Sequence, residues 1–300
     1  MIMTKDRSLV IRGTISAGIG GIFWGLSGTC GQYLFSQCGA DPLWVTCLRL
    51  LCAGTLMTLI ALGKYRSDLI NIWKEPKDVV MLLLFGLFGL MFCQYAYLSG
   101  ISHSNAATTT VLQQLSLVIV MLISCLQSRR LPQKLQVLAL ILAFFGTFMI
   151  STGGNPAQMI LSPQGLFWGI SSAFAAAAYN LLSKGLLIRW SREAVCGIGM
   201  LFGGVVLSIY ARLWTYDVTL PPAGWLSFAC IVIFGTVIAF SFFLAGVRDA
   251  GPVRASMMGV TEPVAAAVFS ACWLGTSFST AELIGFAAIF ITMLILAKTD

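Results

Sequence analysis

Ten apolar runs, each near the length that crosses a bilayer, limit what this chain can fold into more than any other feature. They cover 14–36, 43–63, 79–100, 105–127, 135–152, 164–188, 194–213, 224–247, 253–274 and 281–297. A spanning helix needs about 20 mostly apolar residues. Backbone polar groups in lipid must be paired within the segment, which selects helices. The expected fold is therefore an all-α polytopic membrane protein with ten transmembrane helices. Only 10% of the residues are charged and 58% are hydrophobic. A soluble domain carries about 25% charge, so this chain has too little to cover a soluble surface. Disorder is excluded for the same reason. The connections are short and hold the expected breakers: Asp41-Pro42, Glu75-Pro76, Leu131-Pro132, Gly153-Gly154-Asn155-Pro156, Pro221-Pro222 and Gly251-Pro252. The first run follows Lys5, Arg7 and Arg12 as a signal peptide would. Its apolar stretch is too long for one, and no small-residue cleavage site follows, so it reads as a retained first helix.

The net charge of +7 comes from 18 Lys+Arg against 11 Asp+Glu. Basicity alone would suit a nucleic-acid partner, so the placement of the charges has to decide. Ten spans put both termini on one side. On that side fall Lys5, Arg7, Arg12, Lys64, Arg66, Lys74, Lys77, Arg129, Arg130, Lys134, Lys184, Arg189, Arg192, Arg248, Arg254 and Lys298. The other side has Arg212 alone, and Arg49 lies within a span. By the positive-inside rule both termini are cytoplasmic, in a multi-pass protein of the cytoplasmic (inner) membrane. Charges spread over several loops form no single patch, so nucleic acid drops out as a partner. The nine cysteines make no CxxC pair and mostly lie in apolar runs, where they read as small buried hydrophobes. No metal site or other cofactor is indicated.

The two halves resemble each other. Gly21-Ile22-Phe23-Trp24-Gly25-Leu26-Ser27 matches Gly165-Leu166-Phe167-Trp168-Gly169-Ile170-Ser171. Leu98-Ser99-Gly100 matches Leu244-Ala245-Gly246, and at the same spacing Gln136 meets Glu282 and Ser116-Leu117 meets Glu262-Pro263. Each half, 14–152 and 164–297, holds five spans. Five is odd, so the second half enters the membrane from the opposite face. Such inverted repeats are common among secondary transporters.

On these residues the chain resembles the EamA-like family of the drug/metabolite transporter superfamily. The resemblance rests on Trp24-Gly25 and Trp168-Gly169 in the first span of each half, and on Arg49 in the second span. It rests also on a small-residue entry to each fourth span and on Pro263 within the second of these. It implies ten helices in two repeats and the export of small metabolites, often amino acids. Two departures stand out. Leu117 occupies the place where the first repeat would usually have proline, and Gly199 stands opposite Arg49. The halves are therefore not expected to be mechanically equivalent.

Glu262 is the sharpest candidate for a functional residue. About ten residues into its helix, it should sit about 15 Å deep, where an acid is costly and faces the interior or a wet cavity. It reads either as a substrate-amine or proton-coupling group, or as a structural glutamate. Pro263 beside it lacks a backbone donor and frees the Gly259 carbonyl. Arg49 either meets a substrate carboxylate or pairs with Glu262 and fixes packing. Gln113 and Gln114 lie midway along the fourth span. There Thr109, Gln113 and Ser116 share a helical face that either lines a cavity or bonds a neighbouring helix. Tyr95 and Asn180, with Gln94, Tyr97 and Tyr179, form a second tier. Trp24 and Trp168 read either as interfacial anchors or as gates on the path. Gly21/Gly25 and Gly165/Gly169 read as close helix packing, and His103 as a solvated residue of an external turn.

Together these features describe a transporter exporting amino acids or related amines by alternating access. Its partners are a small-molecule substrate, the lipid bilayer and, through Glu262, protons; monomer and homodimer are both open. Uptake of a nutrient or vitamin on the same fold is the alternative. An intramembrane enzyme is disfavoured, because His103 is the single histidine and Glu262 the one clearly buried acid. No Walker pattern is present.

Overall fold

Helix ends fall where the punctuation residues stand. In the computed structural model, which describes residues 7–156, 158–251, 254–255 and 258–299, Asp41 accepts from the backbone N–H groups of Leu43 at 2.7 Å and Trp44 at 3.1 Å. With Pro42 in the first turn it starts α2 (Pro42–Lys64), after α1 (Arg7–Ser36). Then follow α3 (Pro76–His103), α4 (Ala106–Gln127), α5 (Lys134–Thr152), α6 (Pro163–Arg189), α7 (Arg192–Ala211), α8 (Pro222–Ala250), α9 (Met258–Leu274) and α10 (Thr280–Thr299). A short helix, Arg66–Asn71, lies between α2 and α3. Gly153 and Gly275 end α5 and α9 at φ of 63° and 65°, a conformation that glycine adopts without Cβ strain. Among the described residues there is no strand, and nine helices are long and apolar enough to span a membrane. The tenth, α9, is shorter. Lys5, Pro252 and the start of the ninth run at 253 lie outside the described residues.

The repeat is visible in small details as well as in the helix count. Gln136 accepts from the backbone N–H of Gln133 at 2.9 Å, a capping box at the start of α5. Glu282 does the same for Ser279 at 2.8 Å at the start of α10. The match of Gln136 with Glu282 is therefore a pair of equivalent caps, which accounts for one acid near a span without invoking chemistry.

Helix packing follows the same exchange of halves. The main contacts are α2 with α7, α5 with α10, α1 with α8, α3 with α6, α1 with α9, α4 with α6, α3 with α7, α4 with α9 and α2 with α8. Moving each helix five places along returns the same set, so the two repeats interlock rather than sit side by side. Glycines let the backbones approach. A Cβ on Gly146 would lie 2.8 Å from the Gly285 carbonyl oxygen, and one on Gly285 would lie 2.7 Å from that of Gly146, which ties α5 to α10. Large apolar side chains such as Phe144, Ile188 and Leu226 face outward, as they do where the surrounding solvent is lipid.

On the basic face the connection before α3 is tied to the one before α7. Asp78 accepts from the Trp190 indole N–H at 2.7 Å and pairs with Arg189 at 2.9 Å. Asp68 accepts from the Ser191 backbone N–H at 2.8 Å, and this bond holds its carboxyl below the usual carboxylate range.

Candidate functional site

Both fourth helices are irregular, α4 near its middle and α9 at its start. α4 is α-helical over Ala106–Gln113 and again over Ser116–Gln127, with a turn at Gln114 and Leu115 between. α9 begins as a 3₁₀ turn, Met258–Val260, and becomes α-helical at Thr261. Glu262 and Pro263 thus sit in the first turn of an α-helical segment, not within a continuous helix. There the missing proline donor costs nothing, because first-turn N–H groups have no intrahelical acceptor. This corrects the expectation that Pro263 interrupts an α-helix by freeing the Gly259 carbonyl. The first repeat is interrupted at the corresponding place, beside Leu117, without a proline.

A second pair of irregularities was not anticipated. Phe85–Met91 in α3 and Ile233–Ile238 in α8 are π-helical, at nearly equivalent places. Such turns recur at functional sites. In the first case Gly86 packs against Gly199, so closely that a Cβ on Gly86 would lie 2.9 Å from the Gly199 carbonyl oxygen. In the second, Gly235 faces Ser27 and the Arg49 guanidinium, whose Nη2 would lie 3.8 Å from a Cβ on Gly235. Where one half closes glycine on glycine, the other admits an arginine. The departure of Gly199 from Arg49 is the space-filling difference between the halves.

These breaks surround a cavity of about 570 Å³. Trp24, Arg49, Gln113, Gln114, Asn180, Gly259 and Glu262 line it, as do Gln94, Tyr97, Tyr179 and Ser116. Trp24 packs on Phe240 and Phe243 with ring centroids 5.1 and 5.2 Å away. The Tyr97 hydroxyl is taken by Thr110 at 2.8 Å, and Gln113 donates to Cys93 Sγ at 3.7 Å. Arg49 is 6% exposed, and its Nε is buried without a hydrogen-bond partner. Among the described residues no ion pair joins Arg49 to Glu262, although both line the cavity; the pairs found are Arg189 with Glu75 and Asp78, and Arg248 with Asp249. Of the alternatives for Arg49, a direct ion pair with Glu262 is not made in this conformation, although the two charges lie close enough to interact.

Four expected residues are placed elsewhere. Trp168 and Tyr95 stack edge-on against each other at 5.1 Å and do not line the cavity. Thr109 is fully buried and bonds Ser104 at 2.9 Å, away from the cavity that Gln113 and Ser116 line. Pro263 is buried beside the cavity rather than on its wall. Conversely, Arg192, read from the sequence as a loop charge, begins α7 and lines the cavity, its guanidinium carbon 4.0 Å from the Phe240 ring centroid. Spacing carried no signal for it, because one basic residue beside a predicted boundary looks like any other.

The cavity reaches Arg192 and Ala297 at the face that carries the basic loops. The opposite end is tied shut by Gln32. Its Nε2 donates to Thr276 Oγ1 at 2.9 Å, while its Oε1 accepts from Ala106 N at 2.9 Å and Ser270 Oγ at 3.0 Å. One side chain on α1 thus joins α4, α9 and the connection after α9.

Among the described residues, ten helices, nine of them long and apolar enough to span a membrane, pack as two interlocked repeats around an internal cavity, the architecture of a polytopic membrane transporter. The chain belongs to the EamA-like transporter family, whose model matches it twice, over residues 11–152 and 163–298. It is 35% identical over 288 residues to an uncharacterized inner membrane transporter, YicL, of Salmonella typhimurium, covering 96% of this chain and 93% of that one. It is 24% identical over 228 residues to an uncharacterized transporter, YetK, of Bacillus subtilis, covering 73% and 69%. A crystal structure matches with a TM-score of 0.62 at 18% identity over 96% of both chains, a likeness of fold.

Proposed function

We propose that this transporter exports small polar metabolites, with amino acids or related amines as its substrates, by alternating access of the central cavity. The observation that carries the reading is the meeting of Arg49, Glu262, Gln113 and Gln114 where the fourth helix of each repeat breaks. Interrupted helices near the midplane are where transporters of inverted-repeat design bind their cargo. An unpaired guanidinium and an unpaired carboxyl in one cavity suit a substrate that carries both charges. Energy comes from gradients, with Glu262 as the coupling acid. Reconstituted in liposomes, the purified protein is expected to move amino acids without ATP; no flux across a broad amino-acid and amine panel would sink the substrate class. Net movement with the basic face outside only would turn the reading to uptake.

The basic face is read as cytoplasmic, in the inner membrane, with both termini there. In a background without the natural cysteines, Gln37→Cys should react with an impermeant maleimide from outside and Ser67→Cys only after the membrane is opened. The reverse pattern refutes this orientation.

A further inference from the structure

A second cavity, of about 500 Å³, lies at the basic face beside Lys64, Glu193 and Ser241. Arg192 and Phe240 are the residues that line both this vestibule and the central cavity. The guanidinium carbon of Arg192 stands 4.0 Å from the Phe240 ring centroid, and on its other side Phe240 meets Trp24 at 5.1 Å. The pair is a partition between vestibule and cavity. Among the described residues no carboxylate pairs with Arg192; the Tyr179 hydroxyl and the Cys196 thiol lie within hydrogen-bonding reach of its guanidinium, while its Nε is buried without a hydrogen-bond partner. An aromatic face is a weak substitute for an anion, contributing about 0.5–2 kcal/mol. A carboxylate offers two parallel charge-assisted bonds to the same planar fork.

We infer that Arg192 is the specificity-determining residue at the inner mouth of the cavity, and that it admits substrates through a carboxylate group. This rests on the transport reading and narrows it: carboxylate-bearing metabolites pass, whereas amines lacking that group do not. The anion replaces the Phe240 ring as the partner of the guanidinium, which opens the partition toward Trp24. Arg49 lies deeper, as the second cation along the route. The packing of α2 on α7 sets Leu50 beside Gly204, which puts the backbones of Arg49 and Arg192 about 20 Å apart at 1.5 Å rise per residue. One small anion therefore meets the two arginines in turn.

The test compares matched pairs that differ by the carboxylate alone: leucine with isopentylamine, phenylalanine with phenethylamine, lysine with pentane-1,5-diamine. Two readouts are taken on the full chain, flux in liposomes and the shift of the thermal midpoint in detergent. The amino acid of a pair is expected to be transported and to stabilise the protein, and its amine to do neither. R192Q should raise the KM of the transported amino acid by about tenfold to a hundredfold, the range for losing a hydrogen bond to a charged group, with Vmax within about threefold. R192K, which keeps the charge, should recover at least half of that loss on a logarithmic scale. Should R192Q fail to fold, the pair comparison on the natural protein and R192K carry the test alone. An amine moved as fast as its amino acid, an unchanged KM in R192Q, or R192K as defective as a folded R192Q overturns the role of Arg192 while transport stands. No flux and no thermal shift with any pair overturns the amino-acid reading itself.

Discussion

Replacing Glu262 with Gln is expected to uncouple transport from a proton gradient without stopping exchange. The carboxyl lines the cavity at the start of the α-helical part of α9, and no hydrogen bond or ion pair engages it among the described residues. A carboxylate at that depth is costly unless it holds a proton, a cation or a polar partner. In the proposed coupling, a proton held by Glu262 would be exposed to each side in turn as the cavity alternates. With one proton moved per substrate, a pH difference of one unit, worth about 1.36 kcal/mol, sustains about tenfold accumulation. Gln keeps the shape and the hydrogen-bonding oxygen but cannot ionise. E262Q liposomes should therefore reach equal concentrations on both sides under any pH gradient, while substrate exchange continues. Accumulation that still follows the pH gradient in E262Q would assign Glu262 to structure.

The second large effect is expected at Gly25. A Cβ there would lie 2.6 Å from the Glu262 carbonyl oxygen and 2.7 Å from both Ala266 N and the Ala265 Cβ. Two of these atoms are backbone of the helix that carries Glu262, so no flexible side chain can yield. Overpacking of this kind costs about 1–3 kcal/mol for small additions, and Leu adds far more than a methyl group. G25L should fail to give folded protein. G25A should fold with a lowered thermal midpoint and lose at least about tenfold in transport, because α9 shifts together with Glu262. At Gly185 in α6 nothing lies within 4 Å, and Ala there should leave the midpoint unchanged or raise it, by the helix propensity of about 1 kcal/mol that separates the two residues. Equal behaviour of G25A and G185A in both measurements would remove the close α1–α9 contact as the determinant. The equivalent glycine of the second repeat, Gly169, meets the side chain of Leu112 at 2.6 Å, a neighbour that can rotate away. The same motif therefore carries different sensitivity in the two halves.

Several features of the site were legible in advance because they are features of depth. A charge or amide midway along an apolar run has a calculable distance from the surface, whichever way its helix faces. Arg49, Glu262, Gln113 and Gln114 were found in that way, and all four line the cavity. Trp168, picked out by the repeated Trp-Gly pair, and Tyr95, one of a second tier of polar residues, pack on one another. Depth says nothing about rotation, and helices apolar around most of their circumference offer no polar stripe from which to read it. Gln32 was overlooked because a glutamine near a helix end looks interfacial, although it binds three separate elements.

What the sequence determined by itself was linear. Twenty-residue apolar runs, proline and aspartate at their borders and basic residues on alternate connections specify the spans and sort the loops into a basic and a non-basic set. The doubled pattern specifies two repeated five-helix halves. These follow from bilayer thickness, helix rise and the cost of burying charge, none of which needs a partner helix. Tertiary structure decided the rest: that α4 breaks at Gln114 without a proline, that π turns open space beside Arg49, that Arg192 leaves the loops for the cavity wall, and that Gln32 ties the far end shut. Each depends on which helix faces which, and that is settled by glycine contacts and side-chain packing between segments far apart in the chain.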